Sequence, residues 1–441
     1  MSSSPEGVPF PDALRAWCRI AVLSFGGPAG QIAVMHRIVV EEHRWVDESR
    51  FLHALNYCML LPGPEAHQLA IYLGWLLHRT RGGIVAGVLF VLPGIISLGA
   101  LSWAYAAWGH VGAVQALFFG LRAAVLAIVC EAVIRIGRRI LNSRVLLVIA
   151  ALSFAALFFL AIPFPVVIAA AALIGFATHA AAPKAGAAGA VASTGAPGHV
   201  RPSVPRLVRV ALTGLAIWLG PVLILWVGLG SAHVFTRIGA FNSKLAVSTF
   251  GGAYAALAYM AQQAVQHFHW LQPHEMLVGL GFAETTPGPL ICVVQFVGFM
   301  AAFRNPGALS PVLAGTLGGL IAAWTTFVPS FIWIFAGAPY IETLRARAGL
   351  NAALSAVTAA VVGVIANLSV WLALHTLFAR VDDRYWHAMV IPTPELATLN
   401  PAMLLLAVAA ALALLHFRVS VIPTVLGCSG AGMLAHLAGW A

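Results

Sequence analysis

The sequence predicts an all-α polytopic membrane protein, with about 12–13 transmembrane helices arranged in two homologous halves. Three observations predict it. Of 441 residues, 61% are hydrophobic and only 9% charged, and the mean hydropathy is +0.92, against about 45–50% apolar and 25% charged in ordinary globular domains. Apolar stretches of roughly 20 residues, the length that crosses a ~30 Å hydrocarbon core, recur along the whole chain. Two unusual motifs, Phe-Gly-Gly and Pro-Gly-Pro, occur twice at one constant separation.

Taken in order, the expected spans are 12–34, 51–78, 83–108, 110–134, 144–161, 163–181, 207–230, 245–265, 275–302, 307–337, 351–379, 400–417 and 419–440. The opening MSSSPEGVPFPDALRAW lacks the basic start and small-residue cleavage site of a secretory signal, so the first helix is expected to stay in the mature protein. The net charge of +10 does not indicate nucleic acid, because Lys and Arg sit singly between apolar runs and form no basic face. Counted by loop, fifteen lie on one side and eight on the other; the positive-inside rule makes the richer side cytoplasmic. Five dispersed cysteines suggest neither disulfides nor a metal site.

FGGPAGQIAVM at 25 matches FGGAYAALAYM at 250. The separation, 225 residues, is also that of Pro62 from Pro287 and of Trp45 from Trp270. The ungapped register reads as an internal duplication. Further on, FVLPG at 90 resembles TFVPS at 326, and GLRAAVLA at 120 resembles GLNAALSA at 349. Between the halves runs a Gly/Ala/Pro/Ser-rich stretch with the character of a flexible tether. The expected domains are therefore 1–181, a cytoplasmic linker at 182–206, and 207–441. The first span and its mate at 245–265 are the first and eighth, so the halves are expected to enter the membrane in opposite directions, the inverted-repeat plan of many carriers.

Pro62, Gly63 and Pro64, and Pro287, Gly288 and Pro289, should break their helices, since proline removes a donor and clashes with the preceding turn. Backbone freed in this way cannot face lipid and must line a protein cavity or a water path. A helix restarting after each break would aim its first N–H groups, at Glu65 to His67 and at Leu290 to Cys292, into that cavity, as in anion sites at helix N-termini. Gly26, Gly27 and Pro28, with Gly251 and Gly252, read either as a similar break or as close-packing glycines.

Arg122 is the deepest cation, and Asn351 stands at its place in the second half. A guanidinium fork suits a tetrahedral oxyanion, so Arg122 is expected to bind it at the midplane together with the breaks, but an ion pair with Glu131 or snorkelling to an interface would also account for it. Glu65 and Glu284 flank the breaks; a carboxylate in a first helical turn is ordinary dipole chemistry, while beside an anion site its protonation could couple proton and anion movement. Gln68 and Gln295 can donate without charge, or simply link helices. HFHWLQPHE has the look of a histidine metal site without a supporting Cys or Asp cluster. No Gly-Lys pair occurs, so the phosphate-binding loop of ATPases is absent and energy is expected to come from a gradient or a partner; no cofactor is expected, and the carboxylates are too dispersed for an enzyme site.

FGGPAGQIAVM, HRWVDESRF, LLPGPEAHQLAIYLGW and GGIVAGVLFVLPG resemble the amino-terminal domain of the chromate ion transporter family, and FGGAYAALAYM with TTPGPLICVVQFVGF resembles its other domain. The resemblance implies a long, two-domain carrier of the bacterial inner membrane that exports chromate, driven by protons, and confers chromate resistance. It also carries the family's motif glycines and prolines onto the two sets named above. The second half departs at Ala253, where the first has Pro28, and at Leu290, where it has Glu65. Sulfate, with chromate's shape and charge, is the alternative substrate; a passive anion channel and a membrane enzyme acting on phosphates are the competing classes. The sequence is compatible with a monomer or a homodimer.

Overall fold

The computed structural model describes residues 7–25, 27–181, 203–250, 253–338, 348–387 and 389–437. The linker expected at 182–206 falls almost wholly outside them. Sixteen α-helices and one small β-hairpin make up the described chain.

In the first half, α1 (Phe10–Leu23) and α2 (Gly27–His36) are followed by a π-helical turn, Arg37–Glu42. Then come α3 (Glu48–Cys58), α4 (Glu65–Trp108), α5 (Gly112–Ile140), α6 (Arg144–Phe158) and α7 (Phe164–Ala181). The second half begins with α8 (Val204–Leu229), α9 (Val234–Ser248) and α10 (Ala253–Gln262), the last running into a second π-helical turn, Gln263–His267. It continues with α11 (Pro273–Thr285), a 3-10 turn at Leu290–Cys292, α12 (Val293–Arg304), α13 (Pro311–Gly337) and α14 (Ala348–Leu377). After the hairpin of β1 (Val381–Trp386) and β2 (Met389–Pro394) come α15 (Pro401–Leu415) and α16 (Val421–Leu437).

Among the described residues, five helices are long and apolar enough to cross a membrane: α4, α5, α8, α13 and α14. The expected spans 12–34, 51–78, 245–265 and 275–302 are each broken in two, the second piece of 51–78 being the first arm of α4. The Gly and Pro positions responsible lie inside the apolar runs, so hydropathy alone reads across them. The β-hairpin was not expected; its polar VDDRYW pairs antiparallel with MVIPTP, Val381 opposite Pro394.

α4 is itself a helical hairpin. Its turn is made by His78 and Arg79, the latter at a φ of 52°, and its two arms meet at glycines: a Cβ on Gly74 would run into the Gly82 carbonyl, and the reverse. In the second half α12 and α13 form the same hairpin through Gly298 and Gly318. Small residues that let backbones approach are what membrane helix packing requires, because lipid supplies no hydrophobic drive between helices.

The duplication is visible in backbone detail. Both π-helical turns end alike: the Trp45 N–H donates to the Val39 carbonyl at 2.9 Å and the Trp270 N–H to the Ala264 carbonyl at 2.8 Å. The residue before each tryptophan is left-handed, Arg44 at φ 52° and His269 at φ 53°. Each tryptophan stacks on the ring two places earlier, His43 or Phe268, at 4.3 Å. The helices that follow are capped at matching positions, by Asp47 and Gln272.

Candidate functional site

At each Pro-Gly-Pro the glycine takes a conformation open only to glycine, Gly63 at φ 119° and Gly288 at φ 113°. Each glycine then bonds across to the other half. The Gly63 N–H donates to the Thr249 carbonyl at 2.8 Å, and the Gly288 N–H donates to the Ser24 carbonyl at 2.9 Å. Ser24 and Thr249 are counterparts, as are the two glycines, so one contact is made twice with the halves exchanged. Such mutual pairing is what a twofold relation produces.

Ser24 and Thr249 each follow the last residue of a helix just before Phe-Gly-Gly. Gly26, Gly251 and Gly252 lie outside the described residues. Gly27 opens α2 at φ 72°, and Pro28 sits in its first turn, where the missing N–H costs nothing. The third side of each break repeats too. A Cβ on Gly63 would lie 3.4 Å from Ser330 Oγ, and one on Gly288 would lie 3.0 Å from Gly94 Cα. Gly94 and Ser330 are themselves counterparts, each directly following a helix-internal proline, Pro93 or Pro329.

Pro64 ends the first break, and α4 starts at Glu65, leaving the N–H groups of Glu65, Ala66 and His67 without partners inside their own helix. Pro289 leads into the 3-10 turn and then α12. Buried polar atoms without hydrogen bonds gather around these starts: both ring nitrogens of His67, Ser330 Oγ, Thr326 Oγ1, and one amide oxygen each of Gln31, Gln68 and Gln295. His67 is fully buried, with Phe327 and Phe331 edge-on to its ring at 5.2 and 5.4 Å. Thr326 and Ser330 are four residues apart on α13 and so share a face. Native proteins rarely leave such groups unpaired, so a cluster of them marks a place where a polar occupant belongs.

The glutamines hold the breaks in position. Gln68 Nε2 donates to the Pro62 carbonyl within its own break at 2.7 Å, whereas Gln295 Nε2 crosses to the Ile95 carbonyl at 2.9 Å. Gln31 Nε2, which the sequence did not single out, donates to the Gly288 carbonyl at 2.5 Å; its counterpart is Ala256, so this brace exists only on one side.

Glu284 is buried three residues before Pro287 and accepts a hydrogen bond from Tyr254 Oη at 2.9 Å. The ion pair of Glu131 and Arg135 on α5, 3.6 Å apart, lies within electrostatic reach of Glu284, and Arg139 within reach of Glu65. Tyr254, Arg135 and Arg139 were not legible as site residues. Tyr254 lay inside a quoted motif without a partner to give it meaning, and the arginines counted only toward topology.

Arg122 is elsewhere. It lies thirteen residues before Arg135 on α5, about 20 Å along the axis, and lines a cavity of about 730 Å³ with His274, His375, Thr398 and Asn400. It makes no ion pair with Glu131. Asn351 lies on α14, outside the residues whose side chains are described. The histidines of HFHWLQPHE also part company: His267 packs edge-on to Phe268, His269 Nδ1 contacts the Val265 carbonyl at 3.0 Å, and His274 faces the Arg122 cavity.

The family model described as chromate transporter matches residues 12–176 and 236–433. α8 falls between the two matched regions. A chromate transport protein of Pseudomonas aeruginosa is 33% identical over 374 residues, 84% of this chain and 82% of that protein. A chromate transport protein of Cupriavidus metallidurans is 30% identical over 395 residues, 88% and 86% of the two chains. A probable chromate transport protein of Synechococcus elongatus is 27% identical over 370 residues, 81% and 83%. No solved structure matches the chain.

Proposed function

The chain belongs to the chromate transporter family, and on that premise we propose that it is a secondary carrier that exports chromate across the bacterial inner membrane in exchange for protons, and so confers chromate resistance. The observation that carries this reading is the exchanged pair of hydrogen bonds, Gly63 to Thr249 and Gly288 to Ser24, which joins two helix breaks, one from each half. A dianion held there would be solvated by the N–H groups of Glu65, Ala66 and His67 and by the hydroxyls of Thr326 and Ser330, with the positive end of the α4 dipole beneath it. Backbone donors read charge and shape, so chromate and sulfate are both accepted. The twofold axis is taken to lie in the membrane plane, which makes one break reachable from each side in turn as the halves rock.

Glu284 supplies the coupling. It is a buried carboxylate beside the second break that, among the described residues, accepts from the neutral donor Tyr254 Oη. A dianion nearby and a negative Glu284 disfavour each other, which links the proton on Glu284 to the presence of the anion. The homologues' names support chromate as cargo; direction and coupling are the parts to test.

Inside-out membrane vesicles from expressing cells, given an acid interior, should accumulate labelled chromate above equilibrium, and a protonophore should abolish the accumulation. Chromate that only equilibrates, with or without the gradient, would point to a channel. Accumulation only in right-side-out vesicles would point to uptake.

A further inference from the structure

Resting on the reading that the cargo is a tetrahedral oxyanion, we propose that the chain has a second binding site for such an ion, distinct from the helix breaks, in the cavity around Arg122.

Arg122 has no counter-ion among the described residues. Its Nε donates to the Phe118 carbonyl at 3.3 Å and its guanidinium lies 5.7 Å from the centre of the Phe119 ring. Glu131 pairs with Arg135, and Glu275 with Arg304. A half-buried, unpaired charge on a membrane helix is costly to keep, and a bound anion removes that cost.

The remaining lining has the polarity such an ion needs. No acidic side chain lines the cavity among the described residues, while His274, His375, Thr376, Thr398 and Asn400 do. Thr376 Oγ1 is buried without a hydrogen-bond partner. Asn400 Oδ1 accepts from the Met403 N–H at 2.9 Å, which leaves its amide N–H groups as donors. Guanidinium forks match two oxygens of one tetrahedral anion.

The phosphate of a lipid headgroup offers the same chemistry. A free anion is favoured because Thr398 and Asn400 belong to the polar stretch after the β-hairpin. The ion would wait there before entering, or after leaving, the paired breaks.

Equilibrium binding of labelled sulfate, a redox-inert stand-in, to the purified full chain in phosphatidylcholine nanodiscs tests this. Wild type should bind two ions per chain. Arg122→Gln should lose one, or hold it at least ~10-fold more weakly, and Arg122→Lys should fall between them. Thr376→Val, which removes a hydroxyl that bonds nothing in the empty fold and so tests the site without threatening folding, should weaken the same ion. Unchanged stoichiometry and affinity in Arg122→Gln and Thr376→Val would overturn the proposal. So would loss of the second ion when phosphatidylglycerol is added, which would assign the cavity to a headgroup. Loss of vesicle accumulation with both ions still bound would instead fault the transport reading and leave this site standing.

Discussion

Gly63 donates its N–H to the Thr249 carbonyl at 2.8 Å, joining the first helix break of one half to the end of a helix in the other, and Gly288 does the same with Ser24 at 2.9 Å. Both glycines have φ values that L side chains rarely adopt. Gly63→Val and Gly288→Val should each therefore lower stability by about 1–3 kcal/mol and abolish transport, with Gly288→Val the more severe because Gly94 is in backbone contact there. Thermal unfolding alongside vesicle flux checks this; flux retained in either variant would remove the breaks from the mechanism.

Gln31 braces one break, and its counterpart Ala256 has no side chain to brace the other. Gln31→Leu strands the Gly288 carbonyl and should cost about 1–3 kcal/mol, whereas Ala256→Leu at the matching position should act only through packing. Comparing the two melting temperatures tests whether the halves are unequal.

Much of this arrangement was legible in the sequence. Pro-Gly-Pro announced the breaks because proline's chemistry is local, and the 225-residue register announced the duplication. The partners of the breaks were not legible. Ser24 and Thr249 act through their carbonyls, which every residue has, and Gln31, Tyr254 and Arg135 gain their roles from contacts between distant segments. Arg122 was grouped with the breaks because depth along one helix says nothing about which neighbour the side chain meets.

In the proposed coupling, Glu284 and Tyr254 carry the proton step. Glu284→Gln should leave sulfate binding at the breaks intact but abolish accumulation driven by a pH gradient, and Tyr254→Phe should shift the pH dependence of flux without abolishing it. Counterflow exchange at equal pH on both sides separates these outcomes, and pH-driven accumulation by Glu284→Gln would place the coupling group elsewhere.

Glu275 is buried and bonded by Arg304, by Tyr105 Oη at 3.2 Å and by the Gln272 N–H at 2.8 Å. Removing Arg304 leaves that carboxylate uncompensated, so Arg304→Ala should cost about 2 kcal/mol, less than a fully buried pair because the guanidinium is partly exposed. Adding Glu275→Gln should recover part of the loss, which a double-mutant cycle measures.

Asp47 caps α3 in a polar loop outside the apolar spans. Burial pushes its carboxyl up, but hydrogen bonds from Ser49 Oγ at 2.7 Å and the Arg50 N–H at 2.8 Å, with the Arg50 charge, outweigh it and hold the group below its ordinary value. A depressed carboxylate stabilises fully above its unfolded value, near ~4, and loses that contribution as pH falls through the folded value. Asp47→Ala should thus cost about 1 kcal/mol at pH 7 and progressively less in acid, read from unfolding at both pH values.

The central claim is that the two breaks together hold the anion, and an electron cryo-microscopy map of the full chain in nanodiscs with saturating chromate tests it most directly. The account predicts density for one tetrahedral ion between Gly63–His67 and Gly288–Cys292, within hydrogen-bond reach of the Glu65 to His67 amides. A map with chromate only beside Arg122, or with those amides facing an empty or lipid-filled space, would contradict it.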